Sequence, residues 1–293
     1  MRSIPTKTMI IKNSNPRSWF GTDYTMNIYK GCCHGCIYCD SRSSCYGIEN
    51  FDEVRIKENS LDIIERELLR KRNKGVIGTG SMSDPYNPFE KKLNLTREAL
   101  KILDKNEFGV SIATKSNLIL RDIDILKKIN SHSEVCTKIT ITTFDDELGK
   151  IIEPHVPKTS ERFKVIQELS KNGIYTGILL MPILPFINDS EENIINIIER
   201  AKDCGVKFIY PNFGVTLRQN QREYFYNRLD ENFKGLRKKY IERFGERYYY
   251  PSPNIKNIQR IFKNYCEKYN IKYNMEDIIN DYKHSKIEQL KLF

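Results

Sequence analysis

Over the first 210 residues, short runs of apolar and β-branched residues alternate with stretches in which apolar positions recur every three or four residues. The runs are Tyr24–Tyr29, Val76–Gly80, Phe108–Thr114, Cys136–Thr143, Ile174–Met181 and Val206–Tyr210. Most are rich in Ile, Val, Leu, Thr or Phe, as strands buried on both faces are. Helices fit between them. Leu61, Ile64 and Leu68 share one helical face, with Ser60 as a candidate cap. Thr96 starts a helix carrying Leu100 and Leu103. Ile123, Ile125, Leu126 and Ile129 fit a third. Phe163, Ile166 and Leu169 fit a fourth, closed by Gly173 at the C′ position. Asp189 with Glu192 reads as a capping box for a fifth, closed by Gly205. Six alternations of strand and helix imply a parallel sheet, either a partial barrel or a doubly wound layer. In both, chemistry belongs at the C-terminal ends of the strands.

After Tyr210 the pattern changes. From about Gln219 onward the periodicity predicts helices over Gln221–Phe244, Asn254–Tyr269 and Met275–Leu290. The expected organisation is an N-terminal segment over 1–19, a core over 20–215 and a basic helical extension over 216–293. With 293 residues, 39% of them hydrophobic, the chain can bury a sizeable core. No run of 18 apolar residues exists to cross a membrane. Met1–Asn13 lacks the apolar run of a signal peptide, so a cytoplasmic protein is expected. The formal net charge is +10. Residues 215–293 carry 17 Lys and Arg against 10 Asp and Glu, with many Tyr and Phe among them. Such a surplus suits a polyanion such as nucleic acid, and it equally suits an ordinary Lys-rich surface.

Five of the eight cysteines, Cys32, Cys33, Cys36, Cys39 and Cys45, fall within 14 residues. In a reducing compartment such clustering points to metal or catalysis rather than disulfides. Cys32, Cys36 and Cys39 form C-x3-C-x2-C just after the first predicted strand. Three thiolates on one tight loop can hold three irons of a cubane cluster, leaving the fourth iron open to a cosubstrate. Zinc usually takes four ligands from two pairs, and no second C-x-x-C exists, although His34 sits in the same loop. A C-x2-C-x2-C register through Cys33 is the other alignment. Structural zinc and chance clustering remain alternatives at this point.

C-x3-C-x2-C with an aromatic residue, Tyr38, before the last cysteine resembles the signature of the radical S-adenosylmethionine (SAM) superfamily. The wider segment, Met26–Gly31 through Cys39–Ser43, is similar to the spore-photoproduct-lyase-related family, often labelled DNA repair photolyase-like. The resemblance runs through most of the first 220 residues. It implies a partial (β/α)6 TIM-type barrel with a helical C-terminal extension. It also implies a [4Fe–4S] cluster on Cys32, Cys36 and Cys39, and SAM cleaved reductively to a 5′-deoxyadenosyl radical. A reductase such as flavodoxin or ferredoxin is the implied electron donor. The segment Gly78–Glu90 resembles the family's strand-two motif that meets the methionine amino group, with Ser83 and Asp84 as acceptors. Lys115 and Ser116, after the third strand, and Thr142, at the end of the fourth, match places where the family sets polar groups near the SAM carboxylate and ribose. Arg162 matches an arginine that assists SAM binding. Pro182 matches a proline-rich loop packed near adenine. Arg162 would also fall in the first turn of its helix, where the dipole disfavours a cation, so a carboxylate partner is expected.

Spore photoproduct lyases return a hydrogen atom from a cysteine, and Cys45, Cys136 and Cys204 match that position in no motif. Tyr86 and Tyr210 stand at predicted strand ends and are candidates for radical chemistry or plain packing. The chain ends Gln289-Leu290-Lys291-Leu292-Phe293, similar to a bacterial sliding-clamp-binding pentapeptide, though Lys291 departs from it. A tail packed on its own domain is the alternative. The expected function is therefore a radical SAM enzyme acting on nucleic acid, plausibly lyase-like in DNA lesion repair. Two others are open: a radical SAM enzyme for a peptide, metabolite or RNA, and a non-enzymatic metal-dependent nucleic-acid-binding module.

Overall fold

The computed structural model describes residues 2–284, so the C-terminal pentapeptide Gln289–Phe293 lies outside the described residues. The N-terminal segment forms β1 (Ser3–Ile4) and β2 (Ile11–Lys12). The predicted apolar runs follow as β3 (Tyr24–Thr25), β4 (Tyr29–Lys30), β6 (Val76–Thr79), β7 (Gly109–Thr114), β8 (Val135–Thr140), β9 (Tyr175–Leu180) and β10 (Phe208–Pro211), with a strand the pattern did not predict, β5 (Arg55–Lys57), between β4 and β6. A last pair, β11 (Gly214–Thr216) and β12 (Tyr249–Pro251), is antiparallel. The main sheet runs β10-β9-β8-β7-β6-β3-β2. Every pair from β3 to β10 is parallel, and β2 pairs antiparallel with β3 at the edge. The six parallel strands lie side by side in chain order. A doubly wound sheet would reverse direction at a switch point; this one does not, and it forms the wall of a partial (β/α)6 barrel.

One predicted run divides. Tyr24–Tyr29 stays extended but changes neighbours midway. Met26 N–H still reaches Gly78 O at 2.9 Å in the main sheet. Tyr29 then pairs with Ile56 in a small β1-β5-β4 sheet. Both halves are apolar because both are buried, so composition alone could not mark the switch.

The helices are α1 (Ser60–Leu69), α2 (Glu90–Leu93), α3 (Leu95–Lys105), α4 (Ile123–His132), α5 (Asp146–Ile152), α6 (Thr159–Lys171), α7 (Glu191–Asp203), α8 (Gln221–Asn232), α9 (Leu236–Phe244), α10 (Ile255–Lys268) and α11 (Met275–His284). Their buried stripes match the periodicity. Ile64 and Leu68 of α1, Leu100 and Leu103 of α3, and Ile166 and Leu169 of α6 are all fully buried. Each such side chain contributes roughly 1.5–3 kcal/mol of transfer free energy. Gly173 and Gly205 take positive φ just past α6 and α7, as C′ glycines should. The helix starts fall one or two residues from those predicted. Asn59, in place of Ser60, precedes α1, and α3 begins at Leu95, one residue before the predicted start at Thr96, with Asn94 preceding it. Ser190 caps α7, accepting Asn193 N–H at 3.1 Å, because Asp189 is taken by the Ser252 hydroxyl at 2.6 Å. The predicted helix Gln221–Phe244 breaks at Gly235, whose φ of +79° separates α8 from α9.

The extension shares the barrel's apolar packing. Ile258, Phe262 and Cys266 of α10 belong to the same buried cluster as the helices around the sheet. Ile278 and Tyr282 of α11 pack with Phe20, Val76, Cys136 and Phe208. No helix among the described residues is long and apolar enough to cross a membrane.

Candidate active site

The cysteine motif occupies the loop between β4 and β5, and backbone bonds pin it on several sides. Cys32 N–H donates to Phe51 O at 2.8 Å, Ile37 N–H to Ile152 O at 3.0 Å, and His155 N–H to His34 O at 3.2 Å. At Gly35 (φ +69°) a Cβ would lie 2.9 Å from His155 Cδ2 and 3.0 Å from Pro154 Cγ. Only glycine lets the loop lie this close to the turn after α5.

Cys32, Cys36 and Cys39 all line one cavity of about 390 Å³, together with the ends of β6, β7, β8 and β9. Cys33 faces away, into a separate groove beside Pro154 and His155. The C-x3-C-x2-C register therefore faces the cavity. Burial pushes all three thiols up, Cys32 to about 12. The nearby Lys115 opposes that rise at Cys36 and Cys39. Bare thiolates are disfavoured there, and a metal centre that takes them as thiolates would supply counter-charge. No three His, Cys, Asp or Glu side chains among the described residues gather on one ion-sized point. A cubane takes each thiolate on a different iron, so thiols spread around one loop fit a cluster.

The end of β6 forms the facing wall. Gly80 has φ +92°, and a Cβ there would lie 1.9 Å from Ala113 O. Glycine is required for the two strand ends to meet, and both line the cavity. Ser83 donates to Gly31 O at 2.5 Å, tying this wall to the cysteine loop. Asp84 is the main anchor. Its carboxylate accepts from Tyr86 N–H at 2.9 Å, the Thr114 hydroxyl at 2.7 Å and Lys115 N–H at 2.8 Å. It also lies 3.5 Å from His34 Nδ1. Lys115 faces the cavity, its ammonium 5.7 Å from the Tyr38 ring centre. Burial lowers the Lys115 pKa, but Cys36, Glu153, Cys39 and Asp84 outweigh it and raise it.

Arg162 has the carboxylate partner that its helix position demanded. Its guanidinium pairs with Glu153 at 2.6 Å and donates to Thr140 O at 2.7 Å, all fully buried. Glu153 also accepts from the Tyr38 hydroxyl. Burial would raise the Glu153 carboxyl, but Arg162 and Lys115 hold it below the ordinary value. The chain Arg162–Glu153–Tyr38 thus braces the cluster loop from behind.

Of the residues predicted from sequence, Cys32, Cys36, Cys39, Ser83, Asp84 and Lys115 line the cavity. Ser116, Thr142, Arg162 and Pro182 stand behind its wall. Ser116 caps the turn after β7, accepting Leu118 N–H at 3.2 Å. Thr142 is buried, its hydroxyl without a partner among the described residues. Pro182 follows a cis peptide bond, and its neighbour Met181 lines the cavity in its place. Neither tyrosine reaches the cavity wall. Tyr86 is fully buried beneath the β6 loop, and Tyr210 packs behind Trp19 at 6.1 Å between ring centres. Sequence reasoning missed Trp19 and Tyr46 on the cavity wall. The only available signal was that Trp19 is the chain's one tryptophan.

The family model for the radical SAM superfamily matches residues 26–198. An uncharacterised protein of Methanocaldococcus jannaschii is 39% identical over 183 residues, 61% of this chain and 68% of that one. A Pseudomonas phage protein named a radical SAM Nalpha-GlyT isomerase is 25% identical over 211 residues, 69% of this chain and 43% of that one. Among solved structures, spore photoproduct lyase complexed with dinucleoside spore photoproduct superposes with a TM-score of 0.63 at 15% identity, over 90% of this chain and 77% of that one. A radical SAM methyltransferase of Kitasatospora setae, with tryptophan and a SAM analogue bound, gives 0.57 at 11% identity, over 82% and 51%. The family match spans more than half of the sequence and includes the three cavity-lining cysteines, so this chain belongs to the radical SAM superfamily, a family of enzymes that use a [4Fe–4S] cluster and SAM.

Proposed function

We propose that this protein is a radical SAM enzyme that directs a 5′-deoxyadenosyl radical at a base in nucleic acid. The observation that carries the reading is that Cys32, Cys36 and Cys39 line a single cavity at the C-terminal strand ends. Cys32, Cys36 and Cys39 would hold the cluster, which would supply the electron for reductive cleavage of SAM and so the radical that abstracts hydrogen from the substrate. The electron comes from a small reductase such as flavodoxin or ferredoxin.

The chain's own groups hold the cosubstrate. Lys115 would supply a point charge for the SAM carboxylate, and Asp84 fixes the Lys115 backbone that presents it to the cavity. Gly80 lets the ends of β6 and β7 meet on the cavity wall, where the strand-two segment would receive the SAM ammonium. Ser116, Thr142, Arg162 and Pro182 act as positioning residues, since each stands behind the wall. Arg162 works through Glu153 and Tyr38, holding the cluster loop against the barrel.

The net charge of +10 is compatible with a nucleic-acid substrate. The likeness to a lyase whose printed ligand is a dinucleoside photoproduct adds support. A base in a duplex must leave the stack to reach a cavity set at the ends of the barrel strands. The phage relative's name adds isomerisation to lyase chemistry as an outcome. The test incubates anaerobically reconstituted enzyme with SAM, dithionite and ultraviolet-irradiated DNA, then analyses the bases by mass spectrometry. Substrate-dependent change in a thymine, with deuterium carried into 5′-deoxyadenosine when the thymines are deuterated, supports the proposal. Stimulation by a peptide or metabolite pool, with inert DNA, overturns the nucleic-acid part.

A further inference from the structure

The cavity has one wall that the cluster and SAM do not explain. Trp19, Phe20 and Gly21 take positive φ in succession, at +33°, +57° and +61°. Two bulky aromatic residues in the left-handed region are uncommon and strained, and such strain persists only where surrounding structure imposes it. Here α11 imposes it. Phe20 N–H donates to Met275 Sδ at 3.0 Å, and Phe20 O accepts from the Tyr282 hydroxyl at 2.5 Å. A Cβ on Gly21 would lie 2.9 Å from Ile279 Cγ2, so the helix packs directly on the turn. Phe20 is fully buried in the barrel interior against Phe208 and Tyr210.

The consequence is the placement of Trp19. Its indole lines the cavity, yet 40% of the residue stays exposed. Its two ring neighbours, Phe20 and Tyr210, both stand nearly perpendicular to it, at 84° and 87°. No ring among the described residues lies parallel to the indole, so the chain itself leaves flat stacking on it unused. A strained turn, clamped from a helix 255 residues away in sequence, thus holds a large flat side chain half-open on the cavity wall.

We propose that Trp19 is the stacking platform for the flat heteroaromatic ring of the substrate, a nucleic-acid base turned into the cavity. This rests on the nucleic-acid reading above and adds the residue that receives the base. The chemistry is base–indole stacking, which is sequence-tolerant because every base has a π-face. The adenine of SAM is a second flat ring that could occupy the same face, and the experiment separates the two.

Trp19 is the only tryptophan, so indole emission reports on this position alone. The reconstituted enzyme is titrated anaerobically with SAM and with a short ultraviolet-irradiated single-stranded oligothymidine. Indole emission and the anisotropy of a dye on the oligonucleotide are both read. The expected result is quenching by the oligonucleotide, with and without SAM, at the concentration where anisotropy rises. Trp19→Ala should weaken oligonucleotide binding about tenfold, and Trp19→Phe should restore most of it. Binding by anisotropy without quenching, or equal affinity for wild type and Trp19→Ala, overturns the platform while leaving the nucleic-acid reading intact. Quenching by SAM alone that the oligonucleotide does not extend assigns the face to adenine and also overturns it. Absence of oligonucleotide binding removes the platform and the nucleic-acid reading together, while SAM cleavage, assayed separately, still judges the cofactor assignment.

Discussion

Lys138 offers a quantitative test of the barrel interior. It lies on β8 two residues before Thr140, a cavity-lining residue, so the strand's alternation points both inward. The side chain is fully buried. Its ammonium donates to Ser111 Oγ at 2.5 Å and lies 4.7 Å from the Phe20 ring centre, with no carboxylate paired to it among the described residues. Burial pushes its pKa down from 10.5 to about 8, against a small opposing pull from Cys136. A folded pKa below the unfolded one means that the unfolded chain keeps the proton longer. Below pH 8 both states are charged and the whole penalty is present. It is relieved as pH rises from 8 towards 10.5. A difference of about 2.5 units corresponds to about 3 kcal/mol at pH 7, falling to about 1.4 kcal/mol at pH 9.5. Lys138→Met keeps the volume and removes the charge at the cost of the Ser111 bond, about 1 kcal/mol. The variant should be about 2 kcal/mol more stable than wild type at pH 7 and nearly equal to it at pH 9.5. Urea unfolding of the cluster-free protein, followed by circular dichroism at both pH values, measures this. A variant less stable at pH 7, or a gain that does not change with pH, refutes the buried-charge account.

Three further changes probe the site. Cys32→Ala should abolish cluster binding, whereas Cys33→Ala, whose side chain faces the outer groove, should keep about four irons per chain by iron assay and electron paramagnetic resonance. Glu153→Gln leaves Arg162 buried without its counter-charge and should cost about 3–5 kcal/mol in urea unfolding, with the double change Glu153→Gln/Arg162→Met recovering part of the loss. Asp84→Ala frees Thr114, the Lys115 amide and the Tyr86 amide at once, and SAM affinity by equilibrium dialysis should fall at least about tenfold; unchanged affinity removes Asp84 as the anchor of that wall.

The architecture was legible because the six parallel strands are covered on both faces and their helices carry regular apolar stripes. Gly173 and Gly205 marked helix ends through a local rule that tertiary context did not override. Arg162 was legible in a different way: a cation in a first helical turn needs an acid, and Glu153 supplies it. What stayed hidden depended on distant partners. Tyr86 and Tyr210 stand near strand ends, but packing decides which side chains there reach the cavity, and it turns both away. The Trp19–Gly21 turn puts two aromatic residues at positive φ against their local preference, and Met275, Ile279 and Tyr282, far along the chain, hold it. The divided Tyr24–Tyr29 run could not be seen either, since both halves are buried in neighbouring sheets.

The central claim is that the loop of Cys32, Cys36 and Cys39 holds a cluster that opens SAM to reductive cleavage. Anaerobic reconstitution with iron and sulfide, followed by reduction with dithionite in the presence of SAM, tests it most directly. The account predicts about four irons per chain and 5′-deoxyadenosine with methionine in equal amounts, both lost in Cys36→Ala. One zinc per chain and intact SAM would contradict it.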